Sequence, residues 1–454
     1  MCSEDKSGST DSVFRRIIPD DCDEATREQQ AIAASEIVDA LKAGKTIQII
    51  NAVIHGPLMV RSMVLESEIT IERTQFSDPL DCSYATFKKT LSIKASIFEK
   101  GLVFSMSTVE KDICLEKATF KEEADFSQIN VIGNFVATET TFEGEANFGS
   151  AQIGSNAEFT RTVFKQNVNF GSARIGNTAI FTGAVFKQWA IFESIECVRD
   201  VFFESASFEN NVNFQNSNFG TAFFGSSNSL KATCSFQAKI DWRGCTYDRI
   251  CPMSVWEDLI ERLDPYDRQP YTQLEEVFRK SGDDQEATKV YYRRKRVESS
   301  KLKLFQRNPL DLHVFSWMAD RFLWVLTGYG VRLRRIFYAT LIILALGTFA
   351  FQLKGAVELK QDALPTMTVG TSIKAKEVIL NFWDGFWVST RHFLPVEIPA
   401  GAQWKPTSNT LWTIKIGQWG DMSMTFETFA TLLKLAGWIL VPVGLAGLTG
   451  ILKR

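Results

Sequence analysis

The stretch AEFTRTVFKQNVNFGSARIG (residues 157–176) decides the fold of this chain. Its large apolar residues Phe159, Phe164 and Phe170 are separated by steps of five and then six residues, and a further step of five ends at Ile175. Neither the 3.6-residue period of an α-helix nor the alternation of a long strand produces these steps. The stretch therefore indicates a repeat with a period of eleven residues.

The eleven-residue period continues in both directions along the chain. One column of positions passes through Phe159 and covers residues 60–236, and Gly225 is its only member that is not apolar. A second column, displaced by five residues, covers residues 54–230 and is apolar throughout. The aromatic residues that we expect to stack as structural ladders are Phe148, Phe159, Phe170, Phe181, Phe192, Phe203 and Phe214 in the first column and Phe142, Phe164, Phe186, Phe208 and Phe219 in the second.

Short strands explain these two columns better than a long helix does. An eleven-residue period can arise in a helix because eleven residues make three turns, but positions five apart differ by about 140° around a helix, so the two columns could not share a face. A small residue also stands two positions before most of the large ones, as Ala157 does before Phe159. Residues two apart share a face of a strand. We therefore expect four units, alternately five and six residues long, to make one coil of a solenoid.

Units such as Ala146-Asn147-Phe148 and Ala124-Asp125-Phe126 resemble the pentapeptide-repeat family. That family places a small residue at the first inward position and Phe or Leu at the centre of each unit, and the resemblance covers roughly residues 50–245. The family steps by five throughout, whereas here steps of five and six alternate. The resemblance implies an all-β solenoid, a right-handed four-sided β-helix. Some members imitate DNA, but the weak net charge of -3 favours no such role and no nucleic-acid partner.

The remaining soluble part is predicted to be helical. We expect residues 45–250 to form the solenoid, and both of its ends to need caps because each end exposes a strand edge. A flexible N-terminus (residues 1–22) is followed by an amphipathic pattern that predicts a capping helix over residues 23–44. Beyond the solenoid, residues 251–308 predict three helices that form a cap and linker, and residues 309–335 a juxtamembrane segment.

Two uncharged segments of eighteen residues, 336–353 and 435–452, are long enough to span a membrane as a two-helix hairpin. Basic residues precede the first segment and follow the second, which predicts that both flanks are cytoplasmic. Because MCSEDKSGSTDSVFRR does not resemble a signal peptide, we expect both termini and the β-helix in the cytoplasm of a bacterial-type inner membrane. Residues 354–428 then form an extracytoplasmic loop, and residues 429–454 the second helix and tail.

The loop contains NFWDGFWVSTRHFLPVEIPAG (residues 381–401), which is too short to span but apolar enough to re-enter the membrane. The order of a helix, a re-entrant segment and a second helix is similar to the layout of two-span pore-loop channels. A potassium filter would follow the short helix as a Thr-Val-Gly-Tyr-Gly-like run, and Phe-Leu-Pro-Val-Glu stands there instead. The candidate pore or interface residues are Arg391, His392, Glu397, Lys434, Gly444, Gly447 and Gly450. A membrane anchor without a pore explains the same residues as interfacial and helix-packing groups.

We expect no enzymatic activity and no cofactor. The eight Cys form no CxxC pair and the three His lie far apart, so neither a metal site nor a catalytic group is predicted. The sequence favours a rigid scaffold or sensor anchored in the membrane, and the alternative is an oligomeric ion channel that is not potassium-selective. The expected partners are membrane lipid, a second copy of the chain and an unidentified cytoplasmic protein. The outward residues expected to form the protein-binding surface include Glu158, Arg161, Lys165, Asn169 and Arg174.

Overall fold

The structure is a computed structural model that describes residues 12–20, 22, 24–225, 233–301, 318, 320–322, 324–325, 327–329, 334–360, 379–415 and 421–448. The chain divides into two compact units, residues 1–287 and 288–454. The first unit contains the solenoid and the second contains the apolar helices.

The solenoid has four sides, named A to D in chain order, and strands on each side pair in parallel from coil to coil. Side A consists of Val13–Ile17, Thr46–Ile50, Ile69–Glu72, Leu91–Lys94, Ile113–Cys114, Phe135–Val136, Ala157–Glu158, Ala179–Ile180 and Val201–Phe202. Side B consists of Ile32–Ala33, Val53–His55, Gln75–Phe76, Ile97–Phe98, Thr119–Phe120, Thr141–Phe142, Val163–Phe164, Val185–Phe186, Ser207–Phe208 and Ser235–Phe236. Side C consists of Leu58–Met59, Leu80–Asp81, Leu102–Val103, Ala124–Asp125, Ala146–Asn147, Val168–Asn169, Ala190–Ile191, Val212–Asn213 and Ile240–Asp241. Side D consists of Val64–Leu65, Thr86–Phe87, Thr108–Val109, Asn130–Val131, Gln152–Ile153, Arg174–Ile175 and Glu196–Cys197, and Asn218–Phe223 and Thr246–Cys251 each continue from side D into side A.

The predicted coil of four alternating units is confirmed by the strand register. On side B, Phe142 pairs with Phe164 and Phe164 with Phe186, so each residue pairs with the one that lies two eleven-residue periods farther along the chain. The predicted all-β solenoid with four sides is therefore the fold of the first unit. The nine strands of side C among the described residues indicate about nine coils.

The repeat changes register near its end, which corrects two sequence assignments. Val201 pairs with Ala222, one residue short of a full coil, so Phe224 and not Gly225 continues the inner ladder, with its ring 5.6 Å from that of Phe203. The next coil is longer by several residues, because Phe208 pairs with Phe236. Phe236 therefore stacks on Phe208 of side B and does not belong to the first column. Leu230, predicted for that position, lies outside the described residues.

The aromatic residues stack in ladders, except that Phe219 lies on side D and contacts Phe214 edge to face at 6.2 Å. From Phe76 to Phe236, successive side B rings have centroids 4.5–5.1 Å apart and planes within 11° of parallel. The small residues two positions earlier are buried with them, as Ala157 is beside Phe159, both 0% exposed. In one coil the small and the large residue exchange positions. Phe135 stands where the other coils have a small residue, Ala137 stands where they have a large one, and both are buried.

The alternation of five and six residues has a local backbone cause. Each five-residue step contains one residue with positive φ, as at Ser150 and Arg161 with φ of 57° and 55°. The turn at Ser150 is closed by the Ala151 N–H, which donates to the Phe148 carbonyl at 3.1 Å. A positive φ at the third residue of a four-residue turn reverses the chain tightly, so these corners use one residue fewer than the corners of the six-residue steps. The positive-φ positions recur every eleven residues from Asn51 to Asn216.

The N-terminal cap differs from the predicted single helix over residues 23–44. Two helices form, α1 (Glu24–Gln29) and α2 (Ala34–Lys42), and strand Ile32–Ala33 between them joins side B. Helix α2 buries Ile37 and Leu41 and packs against Thr46–Ile50 of side A and Leu58–Met59 of side C. The predicted flexible segment 1–22 also contains strand Val13–Ile17, which pairs with side A. Strand pairing outweighs helix propensity here because an exposed parallel edge is available.

The C-terminal cap contains α3 (Trp256–Glu261), preceded by a 3₁₀ turn at Met253–Val255, then α4 (Gln269–Lys280) and α5 (Asp284–Lys301), as predicted. Gln269 and Gln273 of α4 donate through Nε2 to the carbonyls of Cys245 and Tyr247, each at 2.9 Å. These bonds occupy backbone acceptors of the last coil, which would otherwise template further strands. Helix α5 continues into the second unit, and most of the predicted juxtamembrane segment lies outside the described residues.

Further helices of the second unit are α6 (Arg334–Phe351), α7 (Phe382–Phe393) and α8 (Phe426–Leu448). Helix α6 begins two residues before the predicted span, and α8 begins nine residues before the predicted uncharged segment 435–452. Between α6 and α8 the described residues also form two antiparallel strand pairs that the sequence reading missed. One pairs Val357–Leu359 with Trp404–Pro406, and the other pairs Thr410–Lys415 with Asp421–Thr425.

Candidate functional site

Helices α6 and α8 are both long and apolar enough to cross a membrane. They lie antiparallel and in contact, because Ile336 approaches Gly444 near one end and the rings of Phe351 and Phe429 lie 5.9 Å apart near the other. Most of their large apolar side chains face outward, including Phe337, which is 63% exposed. An outward apolar surface on such helices suits contact with lipid or with another copy of the chain.

Helix α7 has a capped N-terminus and one buried face. The Asn381 side chain accepts a hydrogen bond of 2.8 Å from the Asp384 N–H and so caps the first turn. The buried residues Gly385, Val388, Ser389 and Phe393 follow a spacing of three or four residues. On the opposite face the aromatic residues Phe382, Trp383 and Trp387 are exposed. At twelve residues, α7 is too short to cross a bilayer.

Helix α7 packs against α6 through glycines and hydroxyl groups. A Cβ added at Gly347 would overlap the Ser389 hydroxyl, and one added at Gly385 would lie 3.0 Å from the Thr348 carbonyl oxygen. The hydroxyls of Thr348 and Ser389 both donate to the Leu344 carbonyl, at 2.7 and 3.2 Å. Small residues allow this close approach, and the shared carbonyl satisfies both buried hydroxyls without water.

The C-terminus of α7 reaches the middle of the pair formed by α6 and α8. A Cβ added at Gly437 of α8 would overlap the Phe393 carbonyl oxygen. Gly437 lies eight residues from Phe429 and seven from Gly444, the two α8 residues that mark its contacts with α6. At about 1.5 Å per residue, Phe393 is therefore about 12 Å along α8 from the Phe429 level.

The chain after α7 returns toward the end from which α7 began. Residues 394–401 have no regular secondary structure, and Gly401 approaches the α7 backbone at Trp387 and Val388, where an added Cβ would lie 3.0 Å from each. The Arg391 guanidinium donates to the Ile398 carbonyl at 2.5 Å and fastens this segment to α7. Residues 381–401 thus run along α6 and α8 as a helix and return as a segment without regular secondary structure.

The chain that follows residues 381–401 is fastened beside the end of α6. Strand Trp404–Pro406, directly after the loop, pairs with Val357–Leu359, directly after α6. The side chains of Thr407 and Asn409 donate to the Gly355 carbonyl at 2.6 and 2.8 Å. A strand and two side chains therefore fix the exit of the loop beside the end of α6.

The predicted polar site residues divide into two groups. Arg391 and His392 lie in the last turn of α7, and Lys434 of α8 acts electrostatically on His392, so these three lie close together. Lys434 stands in the ninth position of α8. Glu397 lies on the returning segment and is exposed.

The predicted glycine contact is only partly tested. A Cβ added at Gly444 would lie at an ordinary 3.6 Å from Cγ2 of Ile336. The side-chain environment of Gly447 is not described, and Gly450 lies outside the described residues. The closest approaches involve Gly347, Gly385 and Gly437, which the sequence reading did not select as contacts between α6, α7 and α8. Each of these glycines stands in the interior of a helix, where glycine is unfavourable. This position was the sequence signal that could have identified a close helix contact.

The outward solenoid residues that the sequence selected contact their neighbours along the coil axis. Arg161 pairs with Glu139 at 3.3 Å, Lys165 with Glu143 at 2.6 Å and Arg174 with Glu196 at 3.4 Å. Asn169 donates to Asn147 at 3.1 Å, and its oxygen accepts the Gly171 N–H at 2.8 Å. Exposed pairs of this kind contribute at most about 1 kcal/mol each. These side chains therefore support the coil stack and also remain accessible at its surface.

Among the described residues no group of His, Cys, Asp or Glu side chains is arranged to hold a metal ion. The solenoid thiols are poor nucleophiles, because burial raises the pKa of Cys197 to about 12 and raises that of Cys245 above its usual range. The chemistry available in the solenoid is therefore hydrogen bonding and ion pairing at its surface.

Comparison of the chain with protein-family models, with curated proteins and with solved structures found no match in any of the three.

Proposed function

We propose that the chain is a subunit of a non-enzymatic, oligomeric membrane channel that is not potassium-selective. In this proposal α6 and α8 span a bacterial-type inner membrane, and residues 381–401 form its pore loop. The solenoid is a pentapeptide-repeat module on the cytoplasmic side. The observation that carries the proposal is the descent of α7 to Phe393, midway along α8, followed by the return of the chain to Gly401.

The packing of the loop supports a pore more than a simple anchor. An anchor needs only two apolar helices, whereas here backbone-to-backbone contacts at Gly385 and Gly437 hold a third, shorter helix between them. Irregular backbone at membrane depth is tolerated where protein buries it or where it lines a water-filled cavity. In a ring of subunits, residues 394–400 would line such a cavity, and Pro395 and Pro399 lack the N–H groups that would need partners there.

Ion flux from liposomes tests the proposal. The full-length protein, reconstituted and shown to be oligomeric, is expected to release a trapped salt gradient faster than empty liposomes do. A chimaera in which residues 336–454 are replaced by an unrelated two-span hairpin serves as the matched control and is expected to be silent. Silence of the intact oligomer in the correct orientation would contradict the channel.

A membrane-anchored scaffold is the second candidate function, and one surface of the solenoid favours it. Side C carries a depression of about 310 Å³ lined by acidic and amide side chains, including Glu145, Asn147 and Asn169. Trp189 borders it and is 51% exposed. An exposed aromatic residue beside hydrogen-bonding groups suits a protein partner. In this case the chimaera would retain the cellular function of the intact protein.

A further inference from the structure

Four basic residues converge where α7 ends beside α8. Arg391 and His392 occupy the last turn of α7. Lys434 stands three residues before Gly437, the α8 residue that contacts the Phe393 carbonyl, and Lys360 follows strand Val357–Leu359, which pairs with the strand after the loop. Both lysines act electrostatically on the His392 ring. Packing fixes this arrangement, because the Phe351 ring lies 6.0 Å from the His392 ring and Gly437 contacts the Phe393 carbonyl. We call Lys360, Arg391, His392 and Lys434 the basic cluster.

Lys434 lies on the polar flank of an otherwise apolar helix. Glu427, Thr431 and Lys434 recur at steps of four and three, so at about 100° per residue they share one side of α8. Leu432 and Ile439 lie on the opposite side and are 46% exposed. A charged residue in the membrane normally faces protein or water and not lipid tails, so this flank faces the inside of the assembly or the headgroup layer.

Within the described residues no ion pair neutralises the basic cluster, and the acidic residue beside its Ile398 contact, Glu397, is exposed. No carboxylate forms an ion pair with Lys360, Arg391, His392 or Lys434 within the described ranges. Glu427, on the same flank as Lys434, is seven residues away, about 10 Å along the helix axis. Glu358 pairs in register with Lys405 on the neighbouring strand. The local potential is therefore positive, and charges beside a low-dielectric layer are screened weakly.

Arg391 retains donors for a ligand. One terminal nitrogen donates to the Ile398 carbonyl, and a guanidinium carries five N–H donors in a planar fork. This bond holds the group in place, so binding an anion would cost little additional side-chain ordering. Lys434 is exposed and can bring its ammonium group to the same ligand.

We propose that the basic cluster is an anion-binding site. The membrane placement of this site rests on the proposed function. Two sources of anion share the required chemistry, namely a small permeant anion such as chloride and the phosphate of an anionic lipid. In a conducting oligomer, the first would favour anions over cations in the pore. The second would fasten the re-entrant loop to the headgroup layer.

Two measurements on the full-length protein separate these sources. The first is the chloride-to-potassium permeability ratio in planar bilayers under a KCl gradient. The second is the retention of phosphatidylglycerol against phosphatidylcholine, measured by native mass spectrometry after extraction from vesicles of equal composition. The variants are Lys434→Glu and Lys434→Arg, with Lys405→Gln as the matched control, because Lys405 is an exposed lysine of the same loop that does not belong to the cluster.

Charge reversal at Lys434 is expected to lower either the permeability ratio or the phosphatidylglycerol retention by at least about tenfold, since a nearby unit charge is worth more than about 1.4 kcal/mol in such a site. Lys434→Arg and Lys405→Gln are expected to behave like the wild-type protein.

A change only in permeability assigns the site to a permeant anion, and a change only in retention assigns it to lipid phosphate. A wild-type protein that does not conduct but shows Lys434-dependent retention contradicts the channel and supports the site. If Lys434→Glu changes neither the permeability ratio of a conducting protein nor its phosphatidylglycerol retention, the proposed anion site is wrong and the channel proposal is unaffected.

Discussion

Phe170→Asp is expected to unfold several coils of the solenoid. Phe170 is 2% exposed and stacks between Phe148 and Phe192 with ring centroids 4.8 and 5.2 Å apart. Phe159 and Phe181 also contact it edge to face, each at 5.2 Å. Removing such a ring costs about 3–5 kcal/mol, and the aspartate adds a buried charge for which the ladder offers no partner. Because each coil is stacked on its neighbours, the damage should spread along the ladder.

Hydrogen–deuterium exchange of the full-length protein measures this spread. Peptides from the coils on both sides of residue 170 should lose protection by several orders of magnitude. Gln166→Asp is the matched control, since Gln166 is exposed and only four residues away, and it should leave protection unchanged. Lost protection confined to the altered strand, with intact neighbouring coils, would contradict the stacked-coil account.

Gly437→Ala is expected to dislodge α7 from α8. The added methyl group would overlap the Phe393 carbonyl oxygen, and this atom belongs to the backbone, so a helix must move. Overpacking of this kind costs about 1–3 kcal/mol. The fraction of molecules with α7 released should therefore rise by about tenfold or more. Tryptic cleavage after Arg391 in detergent solution reports this release, because Arg391 is fastened to Ile398 only when the loop is packed.

Gly444→Ala provides the matched control for this prediction. It changes a glycine of the same helix, but the nearest atom to an added Cβ, Cγ2 of Ile336, lies at an ordinary 3.6 Å. Its cleavage rate should equal that of the wild-type protein. Equal rates in Gly437→Ala and the wild-type protein would show that the contact at Phe393 does not hold α7.

The solenoid could be predicted from the sequence because each coil repeats the same local rule. Phe159, Phe164 and Phe170 show the steps of five and six residues within one coil, and the parallel register repeats these steps from each coil to the next. The register change at Phe224 could not be predicted, because one deleted residue leaves both Phe224 and Gly225 near the expected position. The positive φ at Ser150 or Arg161 could not be predicted either, since neither of these positions is a glycine.

The candidate site was predicted in outline only. The length and apolar character of residues 381–401 predicted a re-entrant segment, but its depth depends on three glycines in three separate helices. Gly347, Gly385 and Gly437 have no common spacing in the chain. Gly444, Gly447 and Gly450 recur every third residue, and this regular spacing predicted a helix contact there instead. Contacts between separate helices depend on tertiary packing, which a local period does not encode.

The central claim, that the chain enters and leaves the membrane on one side around α7, is tested most directly by two-sided cysteine labelling. Ile379→Cys and Gln403→Cys, each in a full-length background whose native cysteines are replaced, place exposed thiols before and after the loop. Both should react with a membrane-impermeant maleimide from the same face, opposite to a reference cysteine at exposed Glu257 of the cap. Labelling of the Ile379 and Gln403 positions from opposite faces would show that this segment crosses the membrane and would contradict the account.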